Sequence, residues 1–578
     1  MNNLLELVQH EKWNEALGLF LQIMRSSDMT EGECILGASI MEHFGEWDSM
    51  YDLIRLGLGR NPFNYELYIL LGNYYADKNV NQAYLSYENA LFFARRANET
   101  EDADYIIELI GAFLSENEVT VRTVSFIILS YNTLDYTGQC IESIRRTCPE
   151  GSYEIVVVDN ASEDGSAQWL RQQEDVILVE NTENVGFPKG CNQGIRAAKA
   201  DNDIFLLNND IVLMENSLYL LRMGLYENEK NGSAGAVTNF AGNNQIVFNE
   251  GNSLGDYKDF AYKNNVPARD AYEIKSMLIM FAMLIRRDVW DEVGELDERF
   301  SPGNYEDNDY GVRIMMSGHR NILCHNSFIF HYGSKSFNKD PDKYKQLMAV
   351  NSQKFKDKWG FSMSYYTHVR KEVANLINCQ PDKPISVLEI GCGLGETLGY
   401  IKYRFANADV HGIEIEPEVA KIGARKFDII CGNIENMELA NDSQYDYIIF
   451  ADVLEHLVNP NKVLARMRAH LKDEGCILTS IPNIMNANVV YDLLHGSFTY
   501  QDAGILDRTH LRFFTKREIL AMFAGEGYTV DHIAGIVSVT DSTKEHEEFF
   551  DGLLNLVGQE LKQEFDIYQY LVRAKKDG

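Results

Sequence analysis

The sequence predicts an α/β multidomain protein, in which an all-α helical segment precedes two separate α/β domains. A helical period with an internal repeat of about 34 residues fills the first part of the chain. Short apolar runs rich in β-branched residues then alternate with helices, and this alternation restarts after about residue 363. Because 578 residues are too many for one hydrophobic core, we predict domains over 1–118, 119–362 and 363–578.

Composition places the chain among soluble globular proteins, with 45% hydrophobic and 24% charged residues. We expect no transmembrane helix, because no apolar run reaches about 18 residues, and no secretion signal at the N-terminus. Nine cysteines without a Cys-x-x-Cys pair favour reduced thiols in the cytoplasm over a metal site. The formal net charge of −33 argues against a nucleic-acid binder and against attraction to anionic membranes.

The helical segment contains three related stretches, which begin at Trp13, Trp47 and Val80 with spacings of 34 and 33 residues. The third copy is the clearest, because the predicted helix before Val80 and the one that starts there both fit the repeat: Tyr68, Leu71, Gly72 and Tyr75 lie on the first, and Ala83, Tyr87 and Ala90 on the second. The segment resembles tetratricopeptide repeats, whose stacked helix pairs would here dock an acceptor or a partner. The alternative is a plain helical cap on the domain that follows.

The middle segment alternates buried-type strands with helices. We predict strands over 124–130, 154–159 and 204–207, and helices around 137–147, 163–173 and 189–200. This order is typical of a mostly parallel α/β sheet. Ligands of such sheets bind beyond the carboxyl ends of the strands.

Two acidic groups in the middle segment suggest chemistry. The apolar run that starts at Phe205 stops at a lone carboxylate, Asp210, and the cluster Tyr305–Asp309 follows about a hundred residues later. A strand that ends in Asp can present a metal ligand, and the later cluster could supply a second ligand or a proton acceptor. Together they would handle a metal-chelated phosphate ester, as a transferase does. The alternative is that Asp210 and Asp307 only cap helices or turns.

Seven motifs in sequence order give the middle segment a family resemblance. Residues 122–337 resemble an inverting family 2 glycosyltransferase with the GT-A nucleotide-sugar-binding fold. The motifs are Ile128–Asn132, Val156–Ser166, Asn184–Asn192, Leu207–Asp210, Val293–Phe300, Tyr305–Asp309 and Phe330–Ser334.

The resemblance implies a role for each matching residue. Tyr131 would stack on or border the nucleobase, and Asn132 would also bind the nucleotide sugar. Asp159 would hydrogen-bond the imide edge of the base, which favours UDP- or dTDP-linked donors. Asp210 and His331 would bind Mg²⁺ or Mn²⁺ on the diphosphate. Further contacts to the donor are expected from Lys189 and Asn209.

Asp307 is the expected catalytic base, which deprotonates the acceptor hydroxyl as it attacks the anomeric carbon. Glu306 and Asp309 are the alternatives, because carboxylates this close shift each other's pKa values. The Asp-x-Asp pattern of the family is Asn208-Asn209-Asp210 in this chain.

The third segment restarts the strand–helix alternation, with strands predicted over 386–391, 410–414, 445–450 and 476–480. A glycine-rich loop, Gly391-Cys392-Gly393-Leu394-Gly395, follows the first strand and opens a helix. Such a loop lets backbone amides approach a ligand, and Glu414 at the end of the next strand is placed to bind ribose hydroxyls. The loop alone is also compatible with a dinucleotide-binding fold.

Residues 385–535 resemble a Rossmann-like class I S-adenosylmethionine-dependent methyltransferase. The motifs are Val387–Gly395, Cys431–Ile434, Phe450–His456, Ser480–Asn483 and His510–Thr515. The resemblance implies a set of cofactor-binding residues: Glu389, Gly391, Gly393, Gly395, Glu414, Asn433, Ile434 and Asp452. His456 and His510 are candidate bases, with packing histidines as the alternative.

The combined prediction is a cytoplasmic bifunctional enzyme that transfers a sugar and methylates a product, with O-methylation of the glycan expected. The helical repeat would bind a protein acceptor, such as a flagellar or surface protein, or another partner. One alternative is an enzyme that extends a polysaccharide or O-antigen glycan. Another is a scaffold in which one catalytic domain has decayed and only binds.

Overall fold

The computed structural model describes residues 2–577 except 27, 250, 334–340, 441–442 and 538–543. The chain divides into two compact units, Met1–Lys358 and Trp359–Gly578. Every helix in the described part of the chain is too short or too polar to span a membrane. Ser334, the last residue of the motif that begins at Phe330, lies outside the described residues.

In the described part of the chain, the first unit begins with seven consecutive helices that are connected by short loops. The helices are α1 Asn2–Gln9, α2 Trp13–Ser26, α3 Glu31–Phe44, α4 Trp47–Arg60, α5 Tyr65–Ala76, α6 Val80–Arg96 and α7 Thr100–Glu116. The three related stretches therefore begin α2, α4 and α6. A Cβ on Gly72 would lie 2.1 Å from a ring carbon of Tyr87, so the absence of a side chain allows α5 and α6 to pack closely. The tetratricopeptide assignment itself stays a prediction.

The helices share one hydrophobic core with the sheet that follows. The Ser86 hydroxyl of α6 forms a hydrogen bond with the Tyr219 hydroxyl at 3.2 Å. The side-chain Nε2 of Gln82 donates to the Met223 carbonyl at 3.1 Å. The ring of Tyr68 also packs edge-on against Tyr219, with centroids 5.5 Å apart. The helical segment is thus packed directly on the α/β part of the first unit, and the domain boundary at 118/119 stays a prediction.

Among the described residues of the first unit, eight strands form one mixed sheet in the order β3-β2-β1-β4-β8-β6-β9-β7, and β5 pairs with β10. Strands β3, β2, β1 and β4 run parallel, whereas β8 is antiparallel to β4 and β6. The strands are β1 Val124–Ser130, β2 Tyr153–Asp159, β3 Val176–Glu180, β4 Asp203–Asn208, β5 Ile211–Val212, β6 Asn231–Val237, β7 Tyr272–Lys275, β8 Ala282–Ile285, β9 Arg320–Phe328 and β10 Phe330–His331.

Helices cover this sheet and connect its strands. They are α8 Leu134–Thr147, α9 Ser166–Leu170, α10 Phe187–Ala197, α11 Ser217–Leu225, α12 Leu254–Asn264, α13 Arg287–Val293, α14 Glu306–Met316 and α15 Pro341–Trp359, with a 3-10 turn at Glu298–Phe300. The helix predicted over 163–173 is wrong in length. Only Ser166–Leu170 is helical, because Asp164 accepts hydrogen bonds from Ser166 and holds the preceding residues in a turn.

The second unit contains a sheet of seven described strands in the order β13-β12-β11-β14-β15-β17-β16. Strands β11–β15 run parallel, and β17 is antiparallel to both of its neighbours. The strands are β11 Ile385–Ile390, β12 Ala408–Glu414, β13 Asp428–Cys431, β14 Tyr445–Ala451, β15 Leu471–Pro482, β16 Tyr528–Val537 and β17 Ile567–Lys576.

The helices of the second unit lie between and beside these strands. They are α16 Met363–Tyr366, α17 Lys371–Ala374, α18 Glu396–Arg404, α19 Pro417–Gly423, α20 Pro460–Met467, α21 Ala487–Leu494, α22 Lys516–Gly525, α23 Lys544–Val557 and α24 Lys562–Asp566, with 3-10 turns at Leu454–His456, Arg468–His470 and Gln559–Leu561. A helical region, a central mixed α/β sheet and a C-terminal α/β sheet together confirm the predicted fold class.

Candidate active sites

The first candidate site forms where β4 ends. Asp210 follows β4 directly, and the pairing of β10 with β5 places His331 opposite Ile211. The Tyr332 amide donates to the Asp210 carbonyl at 2.9 Å, which fixes the two segments together. As a result, His331 Nε2 lies 3.1 Å from Asp210 Oδ1, and both residues are buried. The structure therefore brings together the two residues that were predicted to bind a metal.

The contact made by Nδ1 of His331 bears on the protonation of Nε2, the nitrogen that faces Asp210. Nδ1 lies 2.9 Å from the Phe240 carbonyl oxygen, which can only accept, so Nδ1 carries a proton. In the neutral ring Nε2 then offers a lone pair towards the Asp210 carboxylate. Two ligand atoms on one divalent ion at ligand distances of about 2.1 Å lie roughly 3 Å apart when they subtend a right angle. The Nε2–Oδ1 separation fits two ligands of a shared cation.

The ends of β1 and β2 carry the residues predicted to border a nucleobase. Asp159 is buried, and its Oδ2 accepts from the Ser162 amide at 2.9 Å. Its Oδ1 is buried without a hydrogen-bond partner in the described residues. Tyr131 is 41% exposed at the end of β1, so its ring is available to a ligand. The free acceptor of Asp159 is the atom that an imide N–H would satisfy.

The side chains of Asn132 and Asn209 form hydrogen bonds within the protein. Asn132 adopts a left-handed backbone conformation with φ of 52°, and its Oδ1 accepts from the Glu163 amide at 2.7 Å. The Asn209 amide donates to Thr137 Oγ1 at 2.9 Å and so ties the end of β4 to α8. Lys189 is exposed in the first turn of α10. Their predicted contacts with the donor stay predictions.

The predicted catalytic carboxylates open α14. Asn304 and Tyr305, directly before this helix, both have left-handed backbone conformations with φ of 71° and 75°. Such strained residues cluster at functional sites. Burial raises the pKa of Asp307 to about 6, and burial with the nearby Asp307 charge raises the pKa of Glu306 well above its ordinary range. A carboxylate with a pKa near 6 is suited to act as a general base near neutral pH.

Asp309, the third acidic residue of this cluster, is fully buried. Lys358 Nζ lies 2.6 Å from its Oδ1, and the Arg313 guanidinium lies 3.7 Å from its Oδ2. These cations neutralise the carboxylate and fix α14 in place. The contacts therefore favour Asp307 over Asp309 as the base, although no hydrogen bond or ion pair among the described residues joins Asp307 to Asp210.

The second candidate site is a cavity of about 590 Å³ at the carboxyl ends of β11, β12 and β14. Gly391 and Gly393 line it, with φ of 70° and 56° that side chains rarely adopt. A Cβ on Gly393 would lie 3.0 Å from the Tyr366 carbonyl oxygen. Gly395 does not line the cavity and instead precedes the first turn of α18.

Glu414 connects the cavity to the glycine loop. It is buried at the end of β12 and accepts from the Gly393 amide at 2.8 Å and from the Glu416 amide at 2.9 Å. Burial raises its pKa. Glu389, also in the cavity wall, has its pKa raised to about 8 by burial, a shift that a hydrogen bond with Thr397 partly offsets. A ligand that donates hydrogen bonds or carries positive charge would stabilise both carboxylates.

The far wall of the cavity contains Asn433, Ile434 and Asp452. Asn433 Oδ1 accepts from the Glu435 amide at 2.9 Å, so this side chain also shapes its own loop. Asp452 has a left-handed backbone with φ of 54° and is paired with the Arg370 guanidinium. The predicted cofactor-binding residues of β11, β12 and β14 thus surround one cavity.

The candidate bases lie next to each other. The rings of His456 and His510 meet edge to face with centroids 4.7 Å apart, and His456 lines the cavity. Burial, with His510 as a neighbour, lowers the pKa of His456 below its ordinary value. His456 is therefore neutral at physiological pH, as a base or a metal ligand must be.

Comparison with known proteins assigns a family to each sheet. Residues 125–294 match the family model described as glycosyl transferase family 2, and residues 365–533 match a model described as a methyltransferase domain. The chain carries a family 2 glycosyltransferase domain and a class I methyltransferase domain. The first match includes Asp159 and Asp210 and ends before Asp307 and His331.

Individual relatives are similar over short segments. The chain is 34% identical over 89 residues to a poly(ribitol-phosphate) β-glucosyltransferase of Bacillus spizizenii, an alignment that covers 14% of each protein. It is 28% identical over 148 residues to a malonyl-[acyl-carrier protein] O-methyltransferase of Halalkalibacterium halodurans, covering 24% of this chain and 53% of that protein. The chain thus spans about half or less of these curated relatives.

A solved structure with partial similarity is a mannosyltransferase from Pyrobaculum calidifontis in complex with GDP-mannose and Mn²⁺. It aligns with a TM-score of 0.32 at 14% identity and covers 53% of this chain and 73% of that one.

Sequence reasoning missed one residue in each domain that holds a candidate site residue in place. In the methyltransferase domain, Arg370 lines the cavity and pairs with Asp452, yet it lies in a polar stretch without a motif. In the glycosyltransferase domain, the side chain of Asn239 holds the backbone of His331. Its Nδ2 donates to the His331 carbonyl at 2.9 Å, and its Oδ1 accepts from the His331 backbone N–H at 2.8 Å. Neither residue had a signal in the sequence, because each acts through a partner about 80–90 positions away.

Proposed function

We propose that the glycosyltransferase domain transfers a sugar from a UDP- or dTDP-linked donor to an acceptor hydroxyl, with inversion at the anomeric carbon. The observation that carries this proposal is the buried Asp210–His331 pair, whose Oδ1 and Nε2 atoms lie 3.1 Å apart. A divalent cation would satisfy both atoms. Hard cations prefer carboxylate oxygen and Mn²⁺ also accepts imidazole, so this pair fits Mg²⁺ or Mn²⁺.

The bound cation would neutralise charge on the departing nucleoside diphosphate. The residues of the chain would perform the other tasks. Asp159, whose Oδ1 has no hydrogen-bond partner in the described part of the chain, would accept from the imide edge of uracil or thymine, and the exposed Tyr131 would border the base. Asp307 accepts the proton of the acceptor hydroxyl, because burial gives it a pKa of about 6.

The methyltransferase domain is proposed to bind S-adenosylmethionine, which supplies an activated methyl group on its sulfonium. Glu414 would bind the two ribose hydroxyls, and the glycine loop at Gly391 and Gly393 would approach the methionine part. Asn433 and Ile434 would contact the adenine. Asp452, held by Arg370, would border the methionine end.

Both domains in one chain suggest that the transferred sugar, or the glycan that receives it, is O-methylated. The helical segment packs on the glycosyltransferase domain through α6 and α11, and we propose that it binds a protein acceptor or partner. Extension of a polysaccharide or O-antigen glycan would use the same two sites. A chain with one decayed domain is disfavoured, because the residues that match each family's motifs are present at both sites.

Donor turnover tests the proposal. The purified chain is incubated with a panel of nucleotide sugars and Mn²⁺, and release of nucleoside diphosphate is measured with and without a chelator. We expect metal-dependent release from a UDP- or dTDP-linked donor by the wild type and none by Asp210→Ala. Metal-independent release, or equal release by Asp210→Ala, would contradict the proposed role of this carboxylate.

A further inference from the structure

Three side chains beside the methyl-donor cavity form a second cluster of potential metal ligands. They are Glu455, His456 and His510, and one ligand atom from each lies within 4.8 Å of the others. Glu455 and His456 come from the 3-10 turn after β14, whereas His510 comes from the loop before α22. The Glu455 carbonyl accepts from the amides of Leu511 and Arg512 at 2.8 and 3.0 Å, so these two segments are held together.

Both histidines use the same nitrogen for a backbone contact. His456 Nδ1 lies 3.2 Å from the Thr509 carbonyl oxygen, and His510 Nδ1 lies 2.9 Å from the Ile505 carbonyl oxygen. A carbonyl can only accept, so each Nδ1 carries a proton, and in the neutral ring each Nε2 has the lone pair that a metal ion would use. Metal-binding histidines are typically oriented in this way, by an N–H donated to a carbonyl from the nitrogen opposite the metal.

Glu455 is the strongest sign that something is bound. The residue is 1% exposed, and neither carboxylate oxygen has a hydrogen-bond partner among the described residues. A buried carboxylate without partners is costly, so it is usually paired or coordinates a metal. One ligand atom of each adjacent imidazole lies within 4.8 Å of a carboxylate oxygen of Glu455. A cation at their centre would satisfy all three groups.

We propose that Glu455, His456 and His510 form a divalent metal site in the wall of the methyl-donor cavity. Two imidazoles and one carboxylate favour a first-row transition metal such as Mn²⁺, Co²⁺ or Zn²⁺ over Mg²⁺ or Ca²⁺, which prefer sites made of oxygen ligands only. The site is distinct from the Asp210–His331 pair, because all three residues belong to the methyltransferase domain.

The position of the metal site beside the cavity indicates a role in catalysis, and this role rests on the proposed methyl transfer. His456 and Thr509 line the cavity, so the metal would face the space in which donor and acceptor meet. Three protein ligands leave positions open for an acceptor oxygen, whose hydroxyl acidity the metal would increase. The acceptor oxygen then bonds to the methyl carbon as the carbon–sulfur bond breaks, and the hydroxyl proton passes to water. The acceptor class is therefore a hydroxyl compound that can enter a metal coordination sphere.

Metal binding by the full chain tests the proposal. Asp210→Ala is used as the background, so that the first site does not contribute, and Co²⁺ is titrated into metal-free protein by calorimetry and visible absorption. We expect one Co²⁺ per chain in this background. His510→Gln or Glu455→Gln added to it should weaken binding at least about 10–100-fold, since even changes to residues that only orient metal ligands have effects of this size.

The matched control is His495→Gln in the same background. His495 is exposed, and its Nδ1 also faces a backbone carbonyl, that of Tyr491 at 2.8 Å, but it is outside the cluster. It should keep full Co²⁺ binding. If the His510→Gln and Glu455→Gln proteins melt as the background does and bind Co²⁺ equally tightly, the metal site is refuted.

Binding of S-adenosylhomocysteine separates this proposal from the proposed methyl transfer. We expect His510→Gln to lose the metal and still bind S-adenosylhomocysteine, because His510 does not line the cavity. A background protein that binds S-adenosylhomocysteine but no Co²⁺ overturns the metal site alone. One that binds Co²⁺ through Glu455 and His510 but no S-adenosylhomocysteine supports the metal site and contradicts the methyl-donor function.

Discussion

Replacement of Glu414 by Gln tests how the methyl-donor cavity holds its ligand. The carboxylate is buried at the end of β12, and its two oxygens already accept from the amides of Gly393 and Glu416 at 2.8 and 2.9 Å. Each oxygen has a further lone pair, which we propose accepts from a ribose hydroxyl. Gln keeps the size of the side chain but provides one acceptor oxygen and an NH₂ group, which cannot accept.

The expected loss follows from these contacts. A hydrogen bond to a charged group contributes about 1.5–3 kcal/mol. The substitution removes one such bond to the ribose and places an NH₂ against a backbone N–H, so we expect a loss of about 3 kcal/mol. This corresponds to a roughly 150-fold higher Kd for S-adenosylhomocysteine.

Isothermal titration calorimetry of S-adenosylhomocysteine measures this change. Glu418→Gln is the control, because Glu418 is exposed on α19 and carries the same charge. It should bind with the affinity of the wild type. If Glu414→Gln binds within threefold of the wild type while its melting curve is unchanged, Glu414 does not hold the ribose and the reasoning is refuted.

Three further predictions concern the first unit. Asp307→Asn should retain donor binding and lower the glycosyl transfer rate by about 10²–10⁴-fold in steady-state assays. The base must be deprotonated, and the pKa of Asp307 is raised to about 6. The wild-type rate should therefore fall as the pH drops below 6 and level off above it. A pH-independent rate would contradict this role. Asp210→Ala should abolish Mn²⁺-dependent binding of UDP in calorimetry, and unchanged binding would remove Asp210 from the metal site. Gly72→Ala places a Cβ 2.1 Å from the Tyr87 ring and should destabilise the protein by about 1–3 kcal/mol in urea unfolding, whereas Gly111→Ala, with open space around it, should be neutral or stabilising.

Local patterns in the sequence were sufficient for much of the fold. The run Val124–Ser130 is a strand with the predicted bounds, because β-branched and apolar residues in a short continuous run form buried parallel strands. The predicted glycine-rich loop follows a strand and precedes a helix, and Gly391 and Gly393 in it have positive φ. The stretches that begin at Trp13, Trp47 and Val80 each open a helix.

Local sequence patterns do not encode long-range pairings, and only the family resemblance linked Asp210 to His331. His331 reaches Asp210 only because the two-residue strands β5 and β10 pair, and strands this short leave no periodic signal. The antiparallel strand β17 inserts between β15 and β16, an order that local propensity does not encode. Lys358 and Arg370 lie in segments without motifs, 49 and 82 positions from their partners Asp309 and Asp452, so these two pairs also had no local signal.

Native mass spectrometry of the intact chain with UDP, Mn²⁺ and S-adenosylhomocysteine is the most direct test that one chain holds two donor sites. We predict that a single chain binds one UDP with Mn²⁺ and one S-adenosylhomocysteine at the same time. Asp210→Ala should lose only the nucleotide and Glu414→Gln only the S-adenosylhomocysteine. A chain that never binds both ligands, or two variants that lose both together, would contradict the assignment of separate sugar-donor and methyl-donor sites.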